Sequence, residues 1–361
     1  MRIGRLWLTD FRGYATADVT FDPGLTAVVG RNGQGKTNLL EAVAYLATLS
    51  SFRGAPTDAL IRSGAAQAVV RAEGERDGRQ LLIEAEIVAG GRSRAQVNRQ
   101  PLRRTRDLLG ALRVTVFAPD DLVVVKAGPS ERRRYLDDAL VAVHPRNDSL
   151  RSEVDRVLKQ RNALLKQSGG RLSPEVELTL DVWDAKLAVA GEALAAARSD
   201  LVERLAPVLS VAYEQVAGVA SDVGVRYDPP WRHGGGLAAA LVEARRDELR
   251  RGVSLVGPHR DDLDLTLHGL PARTHASQGE QRSLALALRL AAHRVVTEAT
   301  ETPPILLLDD VFSELDPGRS DALLAHLPPG QTILTTAGAL PPGARPDRVL
   351  RVEAGAVVPD G

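Results

Sequence analysis

The segment Gly30-Arg31-Asn32-Gly33-Gln34-Gly35-Lys36-Thr37-Asn38 has the residue types of a phosphate cradle. Its glycines let consecutive N–H groups turn toward one point, and a helix starting behind them adds its positive end there. In such a loop Lys36 reaches the β- and γ-phosphates of a nucleoside triphosphate, and the Thr37 hydroxyl holds Mg²⁺. A second constellation lies far downstream, where Ile305-Leu306-Leu307-Leu308 ends in Asp309-Asp310. Asp309 is placed to hold Mg²⁺, directly or through water, and Asp310 to orient or polarise an attacking water. Between them stands Ser277-Gln278-Gly279-Glu280-Gln281, immediately before a strongly helical run. Ser277 and Gly279 then sit at a helix N-terminus, a second anion site on the same chain.

The flanking residues supply the elements these sites need. Leu25-Thr26-Ala27-Val28-Val29 reads as a buried strand, and Leu39, Leu40, Val43 and Leu46 recur at helical spacing after the loop. Strand, glycine loop and helix together are the context in which G-x-x-x-x-G-K-[ST] binds nucleotide. A strand such as Ile305-Leu306-Leu307-Leu308, apolar up to its two carboxylates, is buried on both faces of a parallel sheet, and its C-terminal end meets the ligand crevice. Leu315-Asp316-Pro317 reads as a turn into a further helix.

Composition narrows the chemistry. With 44% hydrophobic and 25% charged residues in 361, the chain can bury a large core and accommodate an insertion. Cysteine is absent, which excludes disulfides, thiolate catalysis and Cys-ligated metals. The seven histidines are scattered, so a resident transition metal is not expected. No apolar run approaches the ~18 residues of a membrane span, and none follows Met1, so a soluble cytoplasmic chain without a membrane partner is expected. Formal net charge is zero, so only local clusters argue for nucleic acid. Arg103-Arg104-Thr105-Arg106, Arg132-Arg133-Arg134, and Arg245-Arg246 with Arg250-Arg251 are such clusters, diluted by Asp137, Asp138 and Glu248.

The remaining chain gives the architecture. Residues 2–22 read as two strands around Asp10-Phe11-Arg12-Gly13-Tyr14, with Arg12 near the nucleotide if they pair beside the loop. Residues 68–98 read as an antiparallel meander with turns at Asp77-Gly78 and Gly90-Gly91. From 130 the pattern becomes helical, with Ser130 as N-cap and a restart at Ser173-Pro174-Glu175. A helix spans 237–251, and strand patterning returns at Ser254-Leu255-Val256 and 262–267. A head made of 1–128 plus 252–361, with an inserted helical arm at 129–251, is the expected domain plan.

The order of P-loop, long middle, S-x-G-x-Q, apolar-Asp-Asp and S-x-L-D resembles ABC-type ATPase heads. Phe11-Arg12-Gly13-Tyr14, Gly33 through Ala42, Phe117-Ala118-Pro119-Asp120-Asp121-Leu122, Gly257-Pro258-His259-Arg260-Asp261-Asp262-Leu263, Ser277 through Arg282 and Leu307 through Asp316 narrow it. Together they look like the bacterial RecF family, recombination mediators related to SMC-type heads. The resemblance implies an α/β ABC-type P-loop ATPase head, a mixed sheet plus antiparallel β subdomain, with an inserted helical arm. It implies ATP and Mg²⁺ as ligands, ATP bound by Gly30 through Asn38 and Arg12, Mg²⁺ by Thr37 and Asp309, with Lys36 and Asp310 catalytic. It further implies an ATP-dependent homodimer in which Ser277, Gly279 and Gln281 meet the nucleotide of the partner. Double-stranded DNA and ss–ds DNA junctions would be bound in that state, with RecO and RecR assisting RecA loading, and hydrolysis would be slow and DNA-stimulated.

The segment 117–122 stands where such heads place a nucleotide-coupling loop, and Asp120 or Asp121 could touch water or metal there. Gly13 stands where the family often has Asn. No histidine closes Gln331-Thr332-Ile333-Leu334-Thr335-Thr336, where transporter heads carry a switch histidine, so Thr335 or Thr336 would sense the γ-phosphate. That disfavours the alternative of a transporter-type ATPase subunit. A nucleotide-gated clamp without essential turnover is a further alternative, and a small-molecule kinase would leave Ser277–Gln281 without a role.

Overall fold

The computed structural model describes residues 1–359 and divides them into two units. The first comprises residues 1–122, 211–220 and the chain from 282 onward. Its strands are β1 (Arg2–Phe11), β2 (Tyr14–Thr20), β3 (Leu25–Val29), β4 (Gln67–Arg76), β5 (Arg79–Val88), β6 (Arg94–Val97), β7 (Gln100–Pro101) and β8 (Val114–Phe117). After β9 (Val223–Arg226), β10 (Asp264–Leu267) and β11 (Leu270–Pro271) in the second unit come β12 (Ile305–Asp309), β13 (Thr332–Thr336), β14 (Arg348–Glu353) and β15 (Ala356–Pro359).

Two six-stranded sheets build the first unit. One has the order β15-β14-β3-β13-β12-β8, parallel except for the antiparallel edge strand β15. Every residue of β12 and of β13 is buried, Asp309 and the three threonines of β13 included, because both strands are flanked on each side. The other sheet is antiparallel, β2-β1-β4-β5-β6-β7, and Leu81, Ile83, Ala85 and Ile87 of β5 alternate into the core. Gln331 joins the two: its Nε2 donates to the carbonyls of Ile3 and Asp22 at 2.7 and 2.8 Å, and its Oε1 accepts from the Ile3 N–H at 2.8 Å. A buried side chain thereby stands in for a strand neighbour at the start of β1.

The second unit, residues 123–210 and 221–281, holds helices Pro129–Val143, Asp148–Gln167 and Gly236–Arg251 and most of Pro174–Ala217. It also holds the sheet β11-β10-β9. Its interior is organised by arginines. Arg161, fully buried, donates to Asp184 and Glu248 at 2.6 Å each and to Ser254 Oγ at 2.8 Å. Arg198 pairs with Asp137 and donates to the Pro258 carbonyl. Leaving one of these charges unpaired would be costly, so the set holds the helices in one register.

Three local expectations are corrected. Gly128, not Ser130, caps the helix Pro129–Val143, because Pro129 supplies the pre-set φ of a first helical residue. Ser254-Leu255-Val256 is not a strand: the Ser254 N–H goes to Asn162 Oδ1 and the Leu255 N–H to Glu248 Oε1. Side-chain acceptors take the donors that a ladder would need. Residues 223–226, expected within a helical stretch, form β9 paired with β10.

Candidate nucleotide site

β3 lies between β13 and β14, and its C-terminal end opens into the glycine loop. Two glycines are required there by close approach. A Cβ at Gly30 would lie 2.4 Å from the Val352 carbonyl oxygen, and one at Gly35, where φ is +113°, 2.9 Å from the Tyr14 hydroxyl. Tyr14 donates to the Gly35 carbonyl at 3.0 Å, and the Ala354 N–H donates to Gln34 Oε1 at 2.6 Å, so the loop is held from both flanks. Arg31 and Asn32 are exposed, and the Asn38 amide lies beside Gly13.

Lys36 and Thr37 open the helix Lys36–Thr48. Lys36 Nζ donates to the Arg31 carbonyl at 3.0 Å, bridging the loop, and burial holds its pKa below the usual lysine value despite the nearby Asp310 and Asp309. Thr37 Oγ1 donates to Asp309 Oδ1 at 2.8 Å. Thr335 Oγ1, from the neighbouring strand β13, donates to the same oxygen at 2.7 Å. Burial pushes the Asp309 carboxyl above the usual range, and the two hydroxyls pull against that shift. Asp310, at φ +48°, donates its N–H to Thr335 Oγ1 at 3.0 Å, and its Oδ1 is buried with no partner.

These donors fit Mg²⁺. A threonine hydroxyl and a carboxylate are hard oxygen ligands, and a buried carboxylate oxygen without a partner stands one residue away. Among the described residues no three His, Asp or Glu side chains converge as a metal cage. Thr37 and Asp309 would therefore hold the ion together with phosphate oxygens, the usual manner for Mg²⁺.

Other residues named from sequence are placed differently. The Arg12 guanidinium forms a bidentate pair with Glu41 at 2.7 Å and donates to the Ala59 carbonyl. Glu41 is itself fully buried and also accepts from Ser51. In the 117–122 segment, Asp121 does not stand open as a metal ligand: Oδ2 accepts from the Ala118 N–H, and Oδ1 from Arg289 at 2.7 Å. Ser277 and Glu280 form a reciprocal capping box, Ser277 N–H to Glu280 Oε2 at 2.7 Å and Glu280 N–H to Ser277 Oγ at 3.3 Å. Gln281 is buried, donating to the carbonyls of Ala272 and Arg273. Asp316 caps the helix Pro317–Ala325, as its sequence position suggests.

The Glu41 partner of Arg12 and the Tyr14 and Ala354 contacts to the loop escaped sequence reasoning. Of these only Glu41 has a readable signal, a carboxylate on the apolar face of the first helix. Parallel sheet, glycine loop, helix, and an adjacent buried strand ending in paired carboxylates define an ABC-type P-loop ATPase head. A family model described as RecF/RecN/SMC N terminal domain matches residues 2–334. The chain is 47% identical to the DNA replication and repair protein RecF of Streptomyces avermitilis, over 93% of both chains. It is 48% identical to the protein of that name from Frankia alni over the same shares. A solved structure of the recombination mediator protein RecF with ATP, in the RecFOR pathway, superposes with a TM-score of 0.91 at 28% identity, over 99% of this chain and 97% of that one. An SMC head bound to the C-winged helix domain of ScpA shares the fold alone, with a TM-score of 0.57 at 18% identity over 99% and 96% of the two chains. The chain belongs to the RecF/RecN/SMC family and, within it, to RecF.

Proposed function

We propose that this chain is an ATP-dependent DNA-binding protein of recombinational repair. ATP and Mg²⁺ bind on Gly30 through Asn38 with Asp309, and two copies close on the nucleotide. Ser277 and Gly279 of each copy approach the γ-phosphate held by Lys36 and Thr37 of the other. A second helix start aimed at phosphate favours the dimer only while the γ-phosphate is present. Asp310 orients a water toward the γ-phosphorus. The new P–O bond forms as the bond to the β-phosphate oxygen breaks, with the water's proton passing to the Asp310 carboxylate, leaving ADP and phosphate. Mg²⁺, when bound, neutralises charge on the β- and γ-oxygens. Slow, DNA-stimulated hydrolysis then releases the dimer from double-stranded DNA or an ss–ds junction, assisting RecA loading with RecO and RecR. Likeness to relatives named for DNA repair and for the RecFOR pathway supports these finer steps.

The carrying observation is that Thr37 and Thr335 converge on Asp309 beside an unpartnered Asp310 oxygen. That convergence favours a metal and a phosphoryl group over a plain acidic turn. Sedimentation velocity of wild type and Ser277→Arg with ATP and Mg²⁺ tests the dimer. Wild type is expected to dimerise and the variant to stay monomeric. Equal dimerisation of the two removes the proposal.

A further inference from the structure

Between positions 92 and 106 the chain carries six arginines, at 92, 94, 99, 103, 104 and 106, and no Asp or Glu. The stretch runs through β6 and β7, the outer strands of the antiparallel sheet, into the short 3-10 turn Thr105–Leu108, and all six side chains are exposed. Arg94 stands opposite Glu86 in register, and Arg92 donates to the Arg103 carbonyl. Arg104 pairs with Asp107 while its side chain remains 79% exposed. Arg99 and Arg103 form no ion pair among the described residues, although Asp107 feels the charge of Arg103.

The turn joining β6 to β7 is Asn98-Arg99, with φ of +50° and +65°. Two-residue hairpin turns with both φ positive favour Asn-Gly. Arg99 therefore holds glycine's place, at a backbone cost of about 1 kcal/mol. A long cation kept at a hairpin tip against its backbone preference points to a use for the cation.

Most arginines of the other clusters pair within the protein, although Arg246 and Arg251 stay exposed with no ion pair among the described residues. Arg132 forms a bidentate pair with Asp262, and Arg133 donates to the Asp261 carbonyl. Arg245 binds Asp181 and Asp184, and Arg250 binds Asp247.

We infer that the β6–β7 edge, from Arg92 to Arg106, is a docking surface for the phosphate backbone of duplex DNA. This rests on the DNA-binding reading above and says where the duplex sits. Guanidinium forks match phosphate geometry. No aromatic residue occurs between 79 and 116, so the edge offers no stacking platform for unpaired bases. None of the exposed large hydrophobic residues falls in the stretch, so a protein partner would find no apolar anchor. Recognition here is electrostatic and independent of sequence.

The test is Arg99→Gly combined with Arg103→Gln in the full chain, with ATP and Mg²⁺. Duplex binding is followed by fluorescence anisotropy over a range of salt. Loss of two phosphate contacts makes the slope of log Kobs against log salt shallower by about 1.8, at about 0.9 per contact. Thermal stability should hold or rise, because glycine relieves the turn, and DNA-free ATP hydrolysis should be unchanged. A variant with the wild-type slope overturns the inference while leaving DNA binding itself intact. That result is also the one expected if the arginines serve an acidic protein. Were they only to keep the sheet edge from self-pairing, the variant would aggregate and retain the slope, and the inference would fall in that case too. If wild type fails to bind duplex at all, the underlying reading falls first.

Discussion

The Thr335 hydroxyl donates to Asp309 at 2.7 Å and accepts from the Asp310 N–H at 3.0 Å, so one side chain on β13 orders both carboxylate residues at the end of β12. Thr335→Val keeps the shape and removes this link. A hydrogen bond to a charged group is worth about 1.5–3 kcal/mol, so ATP hydrolysis should slow roughly ten- to hundred-fold. Thr335→Ser should recover most of it. Single-turnover hydrolysis in the three proteins checks this, and an undiminished valine variant would show that the link is idle.

Burial raises the Asp309 pKa, so the folded chain keeps this proton to higher pH than the unfolded chain does. Stability is therefore lost as pH rises from the unfolded value through the folded one, and ionised Asp309 is a net cost at neutral pH. Asp309→Asn retains an acceptor for Thr37 and Thr335 and removes that cost. Without nucleotide or metal, the variant should melt above wild type at neutral pH, and the gap should close in acid. It should also lose the extra stabilisation that Mg²⁺ adds to ATP. Calorimetry over a pH series measures both.

Asp310 occupies a left-handed conformation that asparagine also tolerates. Asp310→Asn should therefore fold normally while hydrolysis falls by about 10²–10⁴, the range of general-base contributions. The proposed ATP-bound dimer should persist in sedimentation. An unaffected biological function would favour the clamp that needs no turnover.

Lys36→Met removes the buried ammonium that spans the loop to Arg31. The rise in melting temperature expected of wild type with ATP, about 2.7 kcal/mol of stabilisation at a hundredfold excess over Kd, should vanish in the variant. An undiminished thermal shift would place the nucleotide elsewhere.

Gln331→Leu deletes two buried hydrogen bonds to Ile3 and a partly buried one to Asp22, stranding those backbone groups. At about 1–3 kcal/mol per unsatisfied group, a loss of several kcal/mol is expected by denaturant titration. A loss below about 1 kcal/mol would mean that water replaces the amide.

The elements of the candidate nucleotide site were legible because each is local. The glycine loop sits between its own strand and helix, and Asp309 ends its own apolar run, so short windows contain the chemistry. The ABC-type head and RecF membership followed from those windows. Pairings across long separations were not legible. β9 found β10 some forty positions later, and Arg12 found Glu41 on the next helix. Arg132 reads in sequence as part of a basic cluster open to phosphate, but Asp262 draws it inside. Ser254-Leu255-Val256 is apolar enough for a strand, yet distant side chains claim its donors.

The position of β3 in its sheet carries a consequence for biosynthesis. Both of its neighbours, β13 and β14, come from the far end of the chain, so the strand that leads into the phosphate loop has no ladder until residue 332 exists. At about 5–20 residues per second, a ribosome leaves that apolar strand unpaired for about 15–60 s. The nucleotide pocket is thus a late product of translation, and a nascent chain cut short before β13 cannot hold ATP.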